Sequence, residues 1–299
     1  MSIADIQTNK GQLQHQQEVS TANRFEFGKN WRRFLELLDE ERISVATESL
    51  RTMLGVDTVE GKTFLDIGSG SGLFSLAARR LGAKVFSFDF DPDSVACGLE
   101  LKKRYFSGDA DWHIEHGSIL DRDYILSLGK FDIIYSWGVL HHTGHMWEAL
   151  ENASLAVAES GKIFIAIYND TGSQADRWKW IKKTYCRLPK PLKTPFAVFA
   201  ILPDESKRII RSVLDGDPLG YLRYWRHYRN DRGMDRWRDI IDWVGGYPYE
   251  YAGVTEIFDF FKAKGFQLKS IKSDGVGLGC NEFVFERSGE GVVTPSSKE

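Results

Sequence analysis

A chain of 299 residues is long for one compact domain and short for two average ones, so a core of about 200 residues with one large insertion fits it best. With 42% hydrophobic and 27% charged residues it has the material for a real core and is not a disordered chain. A net charge of −3 disfavours a generally basic nucleic-acid binder, and DNA is not an expected partner. The three cysteines, Cys97, Cys186 and Cys280, lie far apart and form no CxxC. That spacing argues against a disulfide framework and a metal site and suits a reducing, cytoplasmic setting. The first residues are polar, with no apolar segment of the kind a secretory signal needs. The longest strongly apolar run, Pro195 to Pro203, is far below the roughly 20 residues that span a bilayer, so stable membrane insertion is not expected.

Residues 1–24 are rich in Gln, Ser, Thr and Asn and read as a flexible arm. From Asn30 to Leu54, Trp31, Leu35, Leu38, Val45, Leu50 and Met53 recur at helical spacing, so residues 1–60 form an arm and N-terminal helices, placed as a lid. Residues 61–170 alternate short apolar strands with amphipathic helices. Strands are predicted at 63–67, 84–89, 112–115, 132–136 and 162–168, and helices at 73–81, 92–105, 119–128 and 146–158. This rhythm means a doubly wound, mostly parallel sheet covered on both faces. It stops at Thr171. Residues 171–250 hold five of the nine Trp and 16 Lys and Arg against ten Asp and Glu, and read as an inserted helical cap. Residues 251–287 return to the core as a helix at 255–265 and two strands, 267–273 and 281–286, around a glycine-rich turn. Residues 288–299 read as a flexible tail.

The strongest chemical signal is the segment from Phe64 to Gly72, where an apolar strand ends in Asp66 and a D-x-G-x-G-x-G turn leads into a helix. Gly68, Gly70 and Gly72 allow a ligand to approach the backbone, and Ser69 lies between them. The helix behind the turn presents its N-terminal N–H groups to the crevice at the carboxyl edge of the sheet. A second acid, Asp89, closes the next strand 23 residues after Asp66. A carboxylate there accepts hydrogen bonds from two ribose hydroxyls. Asp91, followed by Pro92, reads instead as a helix cap and first helical position. The third glycine of a nicotinamide fingerprint is Leu73 here, which disfavours a dinucleotide.

D-x-G-x-G-x-G is the first motif of the class I S-adenosylmethionine-dependent methyltransferases, which this chain resembles over residues 60–170 and again over 253–287. The resemblance implies a Rossmann-like, seven-stranded class I sheet with the cap inserted after strand five, and S-adenosyl-L-methionine as cofactor. Asp89 matches the ribose-binding acid. Gly117, Ser118 and Ile119 match the loop that lines the adenine, and Phe90 and Trp137 join the cofactor set with Asp66 and the glycine turn. FDIIYSWGVLHH matches the segment ending strand four, where many small-molecule members, the ubiquinone O-methyltransferases among them, carry a histidine. The chain also resembles a narrower bacterial group marked by FGKNW, YSWGVLHHTGHMW, FIAIYND, GGYPYE and GLGCNEFVF, a resemblance that names no acceptor.

The acceptor side is expected on loops at the carboxyl ends of strands four and five and of the final pair. His142 is the expected general base and His141 a second candidate, because imidazole accepts a proton near neutral pH; the alternative is that one caps a helix and the other packs. Tyr168 and Asn169, at the end of strand five, and Asn281, at the start of the last strand, are candidate acceptor contacts, with a strand end turning into solvent as the alternative reading for the first two and a loop-fixing contact as the alternative for Asn281. Cys280 reads as packing. Trp31, with Phe25 and Phe27, is expected to flap over the site. The cap's aromatics and arginines read either as a lid holding an acidic or aromatic acceptor or as a helical subdomain with its own core. The expected function is transfer of a methyl group to a small-molecule acceptor at oxygen, with nitrogen as the other atom. Two alternatives are an RNA (tRNA) methyltransferase using the basic cap, disfavoured by the net charge, and a quinone- or lipid-type O-methyltransferase at a membrane surface, disfavoured because Pro195 and Pro203 are expected to break a long amphipathic helix.

Overall fold

The computed structural model describes residues 13–289, apart from 22–23, 29–30, 32–34, 36–37, 233–235, 274 and 276; side chains of 227–232 and 238 are also outside the description. The outer parts of the predicted arm and tail, 1–12 and 290–299, lie outside the described residues. Residues 13–20 form helix α1 where the composition suggests a flexible arm. The elements then follow as α2 (Glu40–Leu54), β1 (Thr63–Ile67), α3 (Leu73–Arg80), β2 (Lys84–Asp89), α4 (Pro92–Tyr105), β3 (Trp112–His116), α5 (Arg122–Leu128), β4 (Phe131–Trp137), a 3-10 turn (Leu140–His142), α6 (Met146–Leu155) and β5 (Val157–Tyr168). Four cap helices come next: α7 (Ser173–Arg187), α8 (Lys190–Leu214), α9 (Gly220–Arg232) and α10 (Arg236–Gly245). The chain closes with α11 (Val254–Ala263), β6 (Phe266–Lys272) and β7 (Cys280–Arg287).

The seven strands form one sheet in the order β3-β2-β1-β4-β5-β7-β6. β1 to β5 are mutually parallel, and β7 runs antiparallel to both β5 and β6. The order reverses at β1, so the crevice beyond the carboxyl ends of β1 and β4 is the topological switch point where ligands bind in such sheets. Period-two alternation sends Leu65 and Ile67 to one face with α6 and α11, and Phe64 to the other with α2, α3 and α4. Both faces are covered, which is why the strands read as apolar runs.

Element ends differ from the sequence reading where side chains or backbone decide them. Helix α5 begins at Arg122, not 119, because the Asp121 carboxylate accepts from the Tyr124 N–H and caps it there. Strand β5 begins at Val157, where a helix was expected to continue. Val157 pairs with Phe131, Ser160 takes a φ of 57°, and the register shifts before Lys162 meets Ile133. Helix α8 runs unbroken through Pro195 and Pro203, contrary to the expectation that they end it. Each proline removes one backbone donor, and both rings face outward while Ala197 and Ala200 anchor the helix in the cap core. That core gathers Trp178, Ile181, Tyr185, Ile240 and Val244 with Tyr249 and, from the N-terminal segment, Phe25. Among the described residues no helix is long and apolar enough to cross a membrane.

Candidate active site

The turn after β1 is built on positive φ at Gly68 (70°), Gly70 (55°) and Gly72 (80°). Space is as tight as the dihedrals. A Cβ on Gly68 would stand 2.3 Å from Val139 Cγ1, and one on Gly70 would stand 3.1 Å from the Trp31 ring. We predict that Gly68→Ala destabilises the fold by about 2–4 kcal/mol, the left-handed strain and the overpacking combined. Thermal melting checks this, with partial recovery in Gly68→Ala/Val139→Ala, since the second change relieves only the clash.

Asp66 is buried beneath the turn, where its carboxylate accepts from the Ser75 hydroxyl. Ser75 also meets Ser87 at 2.7 Å, and Trp112 Nε1 donates to Ser87 at 3.0 Å. Burial pushes the Asp66 carboxyl up to about 7, against the pull of the Ser75 hydroxyl. Asp66 therefore fixes the base of the turn. Asp89, at the end of β2, accepts from the Gly70 N–H and the Asp91 N–H, both at 2.8 Å. Burial raises its carboxyl to about 6, and the two backbone donors oppose the rise. Asp91 caps α4 through the Asp93 N–H at 2.9 Å, accepts from the Gly28 N–H at 2.8 Å, and lies 3.6 Å from His15 Nε2. It thus ties the N-terminal segment to the crevice.

These groups line one cavity of about 1460 Å³. On one side are Asp66, Gly68, Ser69, Gly70, Asp89, Phe90, Gly117, Ser118, Ile119 and Trp137. Gly72 is the one predicted cofactor residue that does not reach the cavity. It packs against Gly98, where a Cβ would come within 3.0 Å of the Cα, so its glycine serves helix packing. The residues fit a ligand of the nucleoside type: a buried Ser69 hydroxyl without a hydrogen-bond partner, a half-satisfied carboxylate at Asp89, and glycine backbone open to the cavity.

Trp31 lies against Gly70 at the glycine turn, and the rest of the wall includes His142 and Tyr168 with Trp178 and Trp243. The sequence candidates do not all meet there. His142 Nδ1 bonds the Pro248 carbonyl; a carbonyl only accepts, so Nδ1 carries the proton and Nε2 keeps its lone pair. Burial holds this imidazole down at about 3, despite the Pro248 contact. His141 is fully buried and outside the cavity. Its Nδ1 accepts from the Tyr168 N–H at 3.2 Å and its ring lies 4.0 Å from the Tyr168 ring, so it orients Tyr168 and does not face an acceptor. Asn169 and Asn281 are also outside. Asn281 Nδ2 donates to Asn169 Oδ1 at 3.0 Å, and Asn169 Nδ2 donates to the Gly275 carbonyl at 2.9 Å. The pair clamps the turn that brings Leu278, Gly279 and Cys280 to the cavity wall.

Several lining residues were not read from the sequence. Gln14, His15 and Glu18 come from α1, and Arg24 bonds the His142 carbonyl at 3.2 Å while lying 5.0 Å from the Phe90 ring. Ile201, Asp204, Arg208 and Arg211 of α8, with Arg236, close the cap side. The i, i+3, i+4 spacing within α8 was the available signal, obscured by its prolines.

A family model described as a methyltransferase domain matches residues 38–194, more than half of the chain. The mitochondrial ubiquinone biosynthesis O-methyltransferase of Schizosaccharomyces pombe is 28% identical over 171 residues, 54% of this chain and 59% of that protein. The ribosomal protein L11 methyltransferase of Helicobacter hepaticus is 46% identical over 77 residues, 25% of this chain and 23% of that protein. The chain therefore spans three-fifths or less of the length of these curated relatives. In the solved complex of the Haloferax volcanii Trm112 methyltransferase activator and a methyltransferase, the fold matches with a TM-score of 0.50 at 14% identity, over 90% of this chain and 99% of that one. With the glycine turn, the terminal Asp89 and the strand order in place, the chain belongs to the methyltransferase domain family, in its class I, S-adenosylmethionine-dependent form.

Proposed function

We propose that this protein transfers a methyl group from S-adenosylmethionine to a hydroxyl oxygen of a small-molecule acceptor. The observation that carries this reading is the single cavity that joins the glycine turn and Asp89 to His142 and Tyr168 under a helical cap. When bound, S-adenosylmethionine supplies an electrophilic methyl on a sulfonium. On this reading Asp89 takes the ribose hydroxyls, and Phe90, Ser118 and Ile119 flank the adenine. His142 is neutral at physiological pH and offers Nε2 to the acceptor hydroxyl proton. The cap excludes water and holds the acceptor in line.

The extent of the O-methyltransferase relative, which reaches beyond the glycine turn, supports oxygen as the methylated atom. The cap's basic side chains also hold internal partners: Arg236 with Glu205 and Asp239, Arg223 with Asp217, and Lys207 with Asp204. That pairing reduces what the cap can offer to RNA phosphates. The test is methyl transfer from radiolabelled S-adenosylmethionine to a panel of phenols and hydroxy acids, beside bulk tRNA and a total-protein extract. We expect label in phenols only. Label in tRNA, steeply lowered by salt, or in protein would replace the small-molecule reading.

A further inference from the structure

Within helix α1, residues 13–20, His15 alone is buried, while Leu13 of the same helix faces water. A helix that leaves its leucine outside and turns a histidine inward is not placed by apolar burial. His15 is 7% exposed and stands in the cavity wall, and its Nε2 is buried with no hydrogen-bond partner. Asp91 Oδ2 lies 3.6 Å from that nitrogen, outside hydrogen-bond reach, and accepts instead from the Gly28 N–H at 2.8 Å. A buried polar atom left unpaired is costly, and a bound group that completes it accounts for its place.

The surroundings identify that group. The His15 ring meets Phe90 edge to face, 5.5 Å between centroids. Phe90 directly follows Asp89 at the end of β2, and its ring lies 5.9 Å from that of His116, the last residue of β3. The other polar groups at Phe90 are engaged: His116 Nε2 bonds the Phe90 carbonyl at 3.0 Å, and Arg24 bonds Glu18 at 2.7 Å and the His142 carbonyl at 3.2 Å. The open nitrogen of His15 therefore belongs to the part of the cavity beside the ends of β2 and β3, where Ser118 and Ile119 also line the wall. With the ribose on Asp89, this is the region of the base. The edge of an adenine presents an amino donor and ring-nitrogen acceptors, and a neutral imidazole carries one donor and one acceptor. Burial holds His15 below the ordinary histidine value, against the pull of Asp91, which favours the neutral form.

We propose that His15 Nε2 hydrogen-bonds the purine edge of the bound cofactor, so that α1 is a wall of the cofactor site and helps to read the base. The proposal rests on S-adenosylmethionine as cofactor and on Asp89 as its ribose acid, and it does not depend on the methyl acceptor.

Titration calorimetry on the full chain tests it with two ligands, S-adenosylhomocysteine and S-inosylhomocysteine, in which an oxo group replaces the 6-amino group. The unaltered chain should bind the adenosyl compound more tightly. His15→Phe keeps a ring against Phe90 and removes the nitrogen. It should raise the Kd for S-adenosylhomocysteine by about tenfold and narrow the difference between the two ligands. His15→Gln, which keeps a donor and an acceptor, should recover part of both. Wild-type affinity in a His15→Phe protein with native circular dichroism overturns the proposal. So does a weakened affinity that leaves the preference for the adenosyl compound unchanged, which would reduce His15 to a tie between α1 and Asp91. Failure of the unaltered chain to bind S-adenosylhomocysteine would overturn the cofactor reading and this proposal with it.

Discussion

Asp89→Ala is expected to raise the Kd for S-adenosylhomocysteine by about 10²-fold, because two hydrogen bonds from ribose hydroxyls to a charged acceptor are lost together, each contributing about 1.5–3 kcal/mol of which part is returned by water. The Gly70 and Asp91 N–H groups, which Asp89 accepts at 2.8 Å, lose their partner as well, so the turn loosens on the cofactor side. Titration calorimetry on a variant with native circular dichroism measures the loss. The pH dependence gives a sharper signature. Burial raises the Asp89 carboxyl to about 6 in the empty protein, so below that pH the group is protonated and accepts less well. A ligand that prefers the ionised form lowers this value and releases a proton when it binds. Affinity in the wild-type protein should therefore fall as pH drops from 7 to 5, and the fall should vanish in Asp89→Asn. An Asp89→Asn protein that keeps the wild-type affinity and the wild-type pH slope would remove Asp89 from the ribose.

The parts of this molecule that were legible in its sequence are those set by local rules. Strand-helix alternation from Thr63 to Tyr168 predicts the parallel sheet because the central strands β1, β4 and β5 are buried on both faces and the helices on one. The glycine turn is legible because its positive φ values demand glycine, and Asp89 because an acid there closes an apolar strand. The cap is legible as a departure from that rhythm. What was not legible depends on long-range contacts. Asn169 and Asn281 stand at the correct edge of the sheet, but 112 residues separate two side chains that bond each other, which leaves Asn281 its loop-fixing reading and takes Asn169 out of the cavity. His141 and His142 are neighbours in sequence, yet the 3-10 turn sends one into the core under Tyr168 and the other to the cavity. Helix α1 carries polar residues with no apolar stripe, and it is held by polar contacts such as His15 with Asp91, which periodicity does not register. In α8 the proline rule gave the wrong answer because outward-facing rings at Pro195 and Pro203 cost single hydrogen bonds in a helix otherwise held by packing.

Lys182 shows the same principle in the cap. It is one of the 16 basic residues of 171–250, and it is buried, donates to the Trp243 carbonyl, and lies 4.0 Å from the Trp243 ring and 4.9 Å from the Tyr249 ring. Desolvation brings its ammonium down to about 7. The cap core is thus fastened by a cation enclosed in aromatic faces, and Tyr249 and Trp243 also pack on Tyr168 at the cavity wall. Cap packing and acceptor-side geometry are therefore one structure, joined at Tyr168.

His142→Ala is expected to lower kcat by about 10²-fold, the low end of what a placed general base contributes because burial weakens the imidazole as a base, while the Kd of the cofactor stays near the wild-type value because the glycine turn and Asp89 are untouched. The shape of the pH profile follows from the site. An exposed histidine would be half protonated near 6.5 and lose its base function below that, whereas burial holds His142 neutral to about 3. The part of the rate that depends on His142 should therefore stay level between pH 8 and 5. At high pH a phenolic acceptor ionises without help, and the gap between wild type and His142→Ala should narrow. Alanine also removes the bond to the Pro248 carbonyl and the ring contact with Phe27 at 5.1 Å, so slow turnover alone does not separate chemistry from positioning. His142→Asn does. Its amide N–H can still donate to Pro248, but it takes no proton from an acceptor. If Asn is as slow as Ala, His142 accepts the proton; if Asn restores most of the rate, the imidazole only holds the Pro248 segment in place, and catalysis rests on alignment of the two ligands beneath the cap.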